Sequence, residues 1–166
     1  YLVLNSTAAT ADSANKFNDT APNSSYATIG GDDNISSGTM LLYSFAEVQG
    51  YSKFGGYTGN GNANGPFIYT GFKPALVIIK ETGSTGSWHI FDTKRRTFNV
   101  TNVVLYGDTN DAESTNNTGN PIDIVSNGFK CRGSGNDSNL DDGTYVYMAF
   151  AKHPFVSSEG VPVTAR

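Results

Sequence analysis

"YTGNGNANGPFIYTGFKPALVIIK", Tyr57 to Lys80, holds the decision about the fold. Clustered glycines, an apolar run and a lysine are also the ingredients of a phosphate-binding loop. Their order argues otherwise. A phosphate cradle follows a strand and opens a helix, whose free N–H groups hold the anion. Here Gly59, Gly61 and Gly65 precede the apolar run, no amphipathic helix follows, and the Gly-Lys-Ser/Thr ending is missing. Asn60-Gly61 and Asn64-Gly65 are instead pairs that accept positive φ in tight hairpin turns. "PALVIIK" (Pro74 to Lys80) is apolar on both faces and reads as a central strand. Pro74 suits its first position, where a missing N–H matters least.

The same logic extends outward. In "GTYVYMAFAKH" (Gly143 to His153), Tyr145, Tyr147, Ala149 and Ala151 point one way and Val146, Met148 and Phe150 the other. Both faces are apolar, which predicts a strand interior to a sandwich or an oligomer. "IDIVSNGFKCR" (Ile122 to Arg132) reads as two strands joined by Asn127-Gly128. Gly, with 19 of 166 residues, joins abundant Ser, Thr and Asn in a composition of turns and strands, while helix formers are thin. The expected fold is all-β: a β-sandwich or jelly roll of about ten short antiparallel strands.

Two stretches of the chain parallel one another. "SGTMLLYSFAEV" (Ser37 to Val48) matches "DGTYVYMAFAKH" (Asp142 to His153), with Gly38-Thr39 over Gly143-Thr144 and Phe45-Ala46 over Phe150-Ala151. "VLNSTAATADS" from Val3 likewise parallels "VLYGDTNDAES" from Val104. The expected organisation is the back half of a first repeat (1–50), a complete second sandwich repeat (51–155) and an extended C-terminal tail (156–166). The first half-repeat would then belong with a front half lying upstream, and the missing initiator Met suggests a fragment or a processed product.

Charge and cysteine usage narrow the function classes. A net charge of −4 argues against nucleic acid held by counterion release. No apolar run approaches the roughly 18 residues of a membrane span, so no membrane insertion is expected, and no signal peptide is visible. Cys131 stands alone and cannot form an internal disulfide. Lys94-Arg95-Arg96, after the strand "SWHIFDT", reads as a solvated turn.

Candidate chemistry is sparse. Glycosidases need two carboxylates about 5–10 Å apart. Asp32-Asp33, Asp108, Asp111, Glu113 and Asp141-Asp142 all fall in Gly- and Asn-rich loops, where such residues usually form turns. His89, His153 and Cys131 lack the spacing of a metal site or a catalytic triad. The chain is therefore expected not to be an enzyme and to carry no cofactor, with calcium at Asp137, Asp141 and Asp142 as the secondary expectation. Trp88, Tyr57, Tyr69, Tyr106 and Tyr26 lie beside Asn- and Asp-bearing turns. Aromatic faces with amide and carboxylate neighbours suit the mixed apolar and hydroxyl surface of a sugar.

"FAEVQGYSKFGGYTGNGNANGPFIYTGFKPALVIIK", "GSWHIFDTKR", "VSNGFK" and "GTYVYMAFAKHPFVSSEGVPVTAR" together resemble a domain at the C-terminal end of tail-fibre and other virion structural proteins of marine bacteriophages. These domains look related to concanavalin-like, LamG-type sandwiches. The resemblance implies a non-enzymatic component of the virion surface and a lectin-like fold. It also implies a homo-oligomer, trimers being usual for fibres, with other virion proteins as partners. It hands over no site residues. The expected role is attachment to a host-surface glycan, with contact residues on a rim of Asn60, Asn62, Asn64, Trp88, Arg95 and Arg96. A purely structural unit (capsid decoration, head fibre or fibre assembly) is the alternative, and a polysaccharide depolymerase ranks third.

Overall fold

A computed structural model describes residues 1–32 and 38–154 of the chain. The expected tail at 156–166, and Asp33 of the Asp32-Asp33 pair, lie outside the described residues. The chain divides into two compact units. One comprises residues 1–2 and 10–45, and the other residues 3–9 and the chain from Ala46 onward.

The first unit has no strand among its described residues. The one regular element among those residues is a 3-10 turn at Phe17–Asp19, whose three residues have positive φ values of 53°, 48° and 47°. Gly30 is fixed by close approach, since a Cβ there would meet Asn15 O at 2.0 Å. Met40, Leu41, Leu42 and Tyr43 are all exposed.

The second unit is the predicted sandwich. Its strands are β1 (Ser52–Thr58), β2 (Phe67–Tyr69), β3 (Pro74–Glu81), β4 (His89–Asp92), β5 (Leu105–Tyr106), β6 (Ile122–Val125), β7 (Gly128–Cys131) and β8 (Thr144–Ala151), with one helical turn, α1 (Asn136–Asn139). The described residues thus hold eight strands rather than about ten, because the segment before Ser52 forms none. Five strands make an antiparallel sheet ordered β1-β8-β3-β4-β5, and three make a second ordered β2-β7-β6. The two strands read as interior, β3 and β8, lie side by side inside the larger sheet, and Pro74 opens β3 as expected.

Alternation decides what is buried. Tyr145, Tyr147 and Ala149 of β8 join Val77 and Ile79 of β3 and Phe91 of β4 in one cluster with Ile68, Ile122, Ile124, Phe129 and Cys131 of the smaller sheet. Phe129 links the sheets, its ring edge-on to Tyr57 at 6.2 Å and to Tyr147 at 5.4 Å. Burying one such ring contributes about 2–3 kcal/mol. The outward face of β8 is only partly covered: Val146 is exposed, and Met148 and Phe150 are half-buried. Cys131 is fully buried, its Sγ 3.7 Å from Tyr57 Oη and 3.4 Å from Ser138 O.

Two glycine assignments change in detail. The β6–β7 turn is Ser126-Asn127, and Gly128 already pairs with Val125. Gly128 is required by close approach, because a Cβ would meet Ile68 O of β2 at 2.0 Å. In the Asn-rich loop, Gly61 has the expected positive φ of 59°. Gly65 instead lets the loop press on Cys131 O, 2.7 Å from where its Cβ would sit.

Candidate functional site

Strand register sorts the expected contact residues between two ends of the larger sheet. Thr58 pairs with Thr144, Glu81 with Tyr145, and Ile79 with His89, so the 59–65 loop and Trp88 share one end. Ser52 pairs with Phe150, Pro74 with Ala151, and Leu76 with Asp92, so Arg95 and Arg96 emerge at the other. The eight residues of β8 separate these ends by roughly 24 Å at the usual rise per residue. The six residues do not form one rim.

At the first end the asparagines serve the loop itself. Asn139, fully buried at the end of α1, accepts from Asn60 N at 2.9 Å. Its amide donates to Asn60 Oδ1 (3.1 Å), Asn62 O (2.8 Å) and Gly133 O (2.7 Å). Asn62 N donates to Asn60 Oδ1, Asn64 N to Asn62 Oδ1, and Asn60 Nδ2 to Asn64 O. Trp88 is half-buried, and its indole N–H donates to Val3 O at 3.0 Å. These groups hold a loop in shape before they can hold a ligand.

Beside them lies a buried ionic cluster that the sequence did not reveal. Lys80 is fully buried and donates to Thr7 O (3.3 Å) and Glu81 O (2.6 Å). Glu81 accepts from Gly83 N, Ser84 N and Ser84 Oγ. His89 Nε2 lies 3.6 Å from Asp137 Oδ2, while Asp137 Oδ1 accepts from Ser87 N and Asp108 Oδ1 from Trp88 N. Burial lowers the pKa of Lys80, against the pull of Glu81, Asp108 and Asp137. Burial likewise lowers that of His89, against Asp137 and Asp108. With Lys80 and His89 both closed to solvent, this cluster fits a structural clasp better than a reactive centre.

As for the calcium expectation, Asp137 already faces Ser87 and His89, and Asp141 and Asp142 lie exposed on the turn after α1. Among the described residues, no three His, Cys, Asp or Glu side chains gather as a metal site would require.

The second end carries the concavity. A cavity of about 240 Å³ is lined by Lys73, Thr93, Arg96, Thr97, Phe98, Asn99, Thr101, Ile124 and Lys152. Its walls follow from the ladders. Lys73 precedes β3 and Lys152 follows β8, and Lys152 N donates to Lys73 O at 2.8 Å, so the antiparallel pair brings two distant lysines together. The segment leaving β4 is turned by Asp92, which accepts from Lys94 N and Arg95 N, both at 2.8 Å. It is then pinned to β6: Asn99 exchanges two 2.9 Å hydrogen bonds with the backbone of Ile124, and Thr101 pairs with Ile122.

The two neighbouring arginines differ. Arg95 is consumed by Asp92, Glu113 Oε2 (3.1 Å) and Ile90 O (2.9 Å). Arg96 donates Nε to Val100 O at 3.3 Å and lies 4.1 Å over the Phe98 ring, leaving its terminal nitrogens without a protein partner among the described residues. Phe98 itself is 61% exposed. The sequence singled out Arg96 alone of this site. Its other cations come from strand ends far apart in the chain, and only the β3–β8 register joins them.

A family model described as a domain of unknown function (DUF7483) matches residues 1–154. No curated protein and no solved structure matches the chain.

Proposed function

We propose a binding role for this chain, which belongs to the DUF7483 family, a domain of unknown function. In this reading it is a module on the surface of a bacteriophage virion, held there with other virion proteins, that attaches to a glycan on the host surface. The observation that carries the reading is the concavity at the Arg96 end. It is a fixed pocket of about 240 Å³ beside an exposed aromatic ring, lined by hydroxyl, amide and cationic groups. That mixture suits a sugar, which offers apolar C–H faces to a ring and hydroxyls to polar donors. Pockets for drug-sized ligands run to about 300–1,000 Å³, so this one admits a single sugar unit rather than an oligosaccharide. One unit per site gives weak affinity, and display on a homo-oligomer, a trimer in the fibre-like case, multiplies it.

The same reading assigns no catalysis. Retaining or inverting hydrolysis needs two facing carboxylates, and the pocket has none among its lining residues. A structural role as a decoration or assembly unit is the second reading, favoured by one observation. Leu41 and Tyr43 are 74% and 73% exposed in a run of large apolar side chains, as a surface packed by a neighbouring subunit would be.

The test is binding of the purified, fluorescently labelled protein to candidate host cells, with phage adsorption measured in competition. Saturable binding that blocks adsorption is expected. A well-folded oligomer that binds no host cell would favour the structural unit instead.

A further inference from the structure

We infer that the pocket between the ends of β4 and β6 selects a glycan bearing an anionic substituent, a carboxylate, sulfate or phosphate, with Arg96, Lys73 and Lys152 as its receptor groups. The inference rests on the glycan reading above and adds the chemistry of the sugar.

The charge pattern carries it. The chain has an acidic excess, 15 Asp and Glu against 11 Lys and Arg. Three cations elsewhere meet carboxylates: Lys53 pairs with Glu47, Arg95 with Asp92 and Glu113, and Arg132 with Asp123. The pocket reverses the balance, with three cations and no acid among its lining residues. Neither lysine ammonium has a protein partner among the described residues. Three like charges around one concavity repel one another, and a bound anion turns that repulsion into attraction.

The geometry of the groups fits the task. The planar guanidinium of Arg96 is oriented by Val100 O and the Phe98 ring, so its free edge is presented rather than searching. A free guanidinium edge meets a carboxylate or a sulfate through two parallel hydrogen bonds. Lys73 and Lys152 are exposed point charges that tolerate either shape. Thr93, Thr97 and Thr101 add hydroxyls, and the exposed face of Phe98 can support the sugar ring that carries the charge.

The experiment measures affinity of the full chain for three soluble polymers: polygalacturonate, dextran sulfate and unmodified dextran. Wild type, Arg96→Met and the Lys73→Met/Lys152→Met pair are compared at low and high salt. The expected result is tighter binding to one charged polymer than to dextran, by about tenfold or more, weakening with salt. Arg96→Met and the double variant should each weaken it about tenfold. Which charged polymer wins distinguishes carboxylate from ester. Lys94→Met/Lys130→Met, outside the pocket, should leave binding unchanged. Thermal unfolding checks each variant, and the lysine pair is exposed, so those substitutions leave the core intact.

Binding no tighter to either charged polymer than to dextran would overturn the inference, as would equal losses in the pocket and control variants. If such a protein still binds host cells, the glycan reading survives and only the anionic assignment falls. If it binds neither cells nor any polymer, both fall together.

Discussion

Gly38–Ala46 and Gly143–Ala151 share a sequence pattern and meet opposite fates. "GTMLLYSFA" and "GTYVYMAFA" have the same length, the same ends and similar apolar content. The later one is β8, flanked by β1 and β3, with Tyr145, Tyr147 and Ala149 buried in the core. In the earlier one Met40 and Leu42, which align with Tyr145 and Tyr147, stand exposed, and the segment forms no strand. The lesson is physical. Alternation and β-propensity describe what a segment would do between two partners, and ladder hydrogen bonds exist only when the partners are supplied.

The comparison breaks most visibly in hydrogen exchange. Amides of β8 should exchange only through global opening, slowed on the order of 10⁴-fold or more for a domain of ordinary stability. Amides of residues 39–46 should exchange nearly unprotected in the isolated chain. Protection of the earlier segment, appearing only in an oligomer, would mean that a neighbouring chain supplies its ladder.

Side-chain truncation gives the next largest contrast. Phe129→Ala should lower unfolding free energy by about 3–5 kcal/mol, since its ring bridges both sheets. Leu42→Ala should stay within about 0.5 kcal/mol. A loss above 1 kcal/mol at Leu42 in chemical denaturation would place that side chain in a packed environment.

Asn139→Ala should remove about 1–3 kcal/mol, because Asn60 N and Asn62 O lose their partner and Gly133 O is left unpaired where it is buried. Exchange at the amides of Asn60, Asn62 and Asn64 should rise at the same time. An unchanged loop would mean that the asparagine ladder alone holds its shape.

The smallest effect concerns pH. Burial keeps the folded-state pKa of His89 below its ordinary value, so the unfolded chain takes up a proton that the folded chain refuses. Its contribution is complete above the unfolded value near pH 6.5 and declines as pH falls toward the folded value. Urea midpoints should therefore drop between pH 7.5 and 5.5, and His89→Phe should flatten that slope while keeping a ring against Phe91 and Tyr106. An unaltered slope in the variant would assign the acid sensitivity elsewhere.

Much of the fold was legible because its strands announce themselves by alternation and their turns by chemistry. "PALVIIK" is a central strand, and Gly61 is a turn glycine with positive φ. The misreadings have one cause. Gly128 looked like the second residue of an Asn-Gly turn, whereas it is small because β2 passes against it. Lys80 closes the apolar run "PALVIIK", yet Thr7, seventy-three residues earlier, covers it. Arg95 and Arg96 looked alike, and only Asp92, Glu113 and the Phe98 ring tell them apart. Sequence reports local propensity well. It says little about which distant backbone will come to rest on a given side chain.

Cys131 gives the molecule a chemical clock. Burial raises the pKa of its thiol to about 11, so the nucleophilic thiolate is scarce at neutral pH as well as shielded. Each chain carries this sulfur once. A molecule that acquires a mass tag from a thiol reagent has therefore opened its sandwich at least once since labelling began. With reagent concentrated enough that tagging outpaces reclosing, counting tagged chains over time would measure the opening rate, with the protein free in solution or embedded in a large particle where spectroscopy fails.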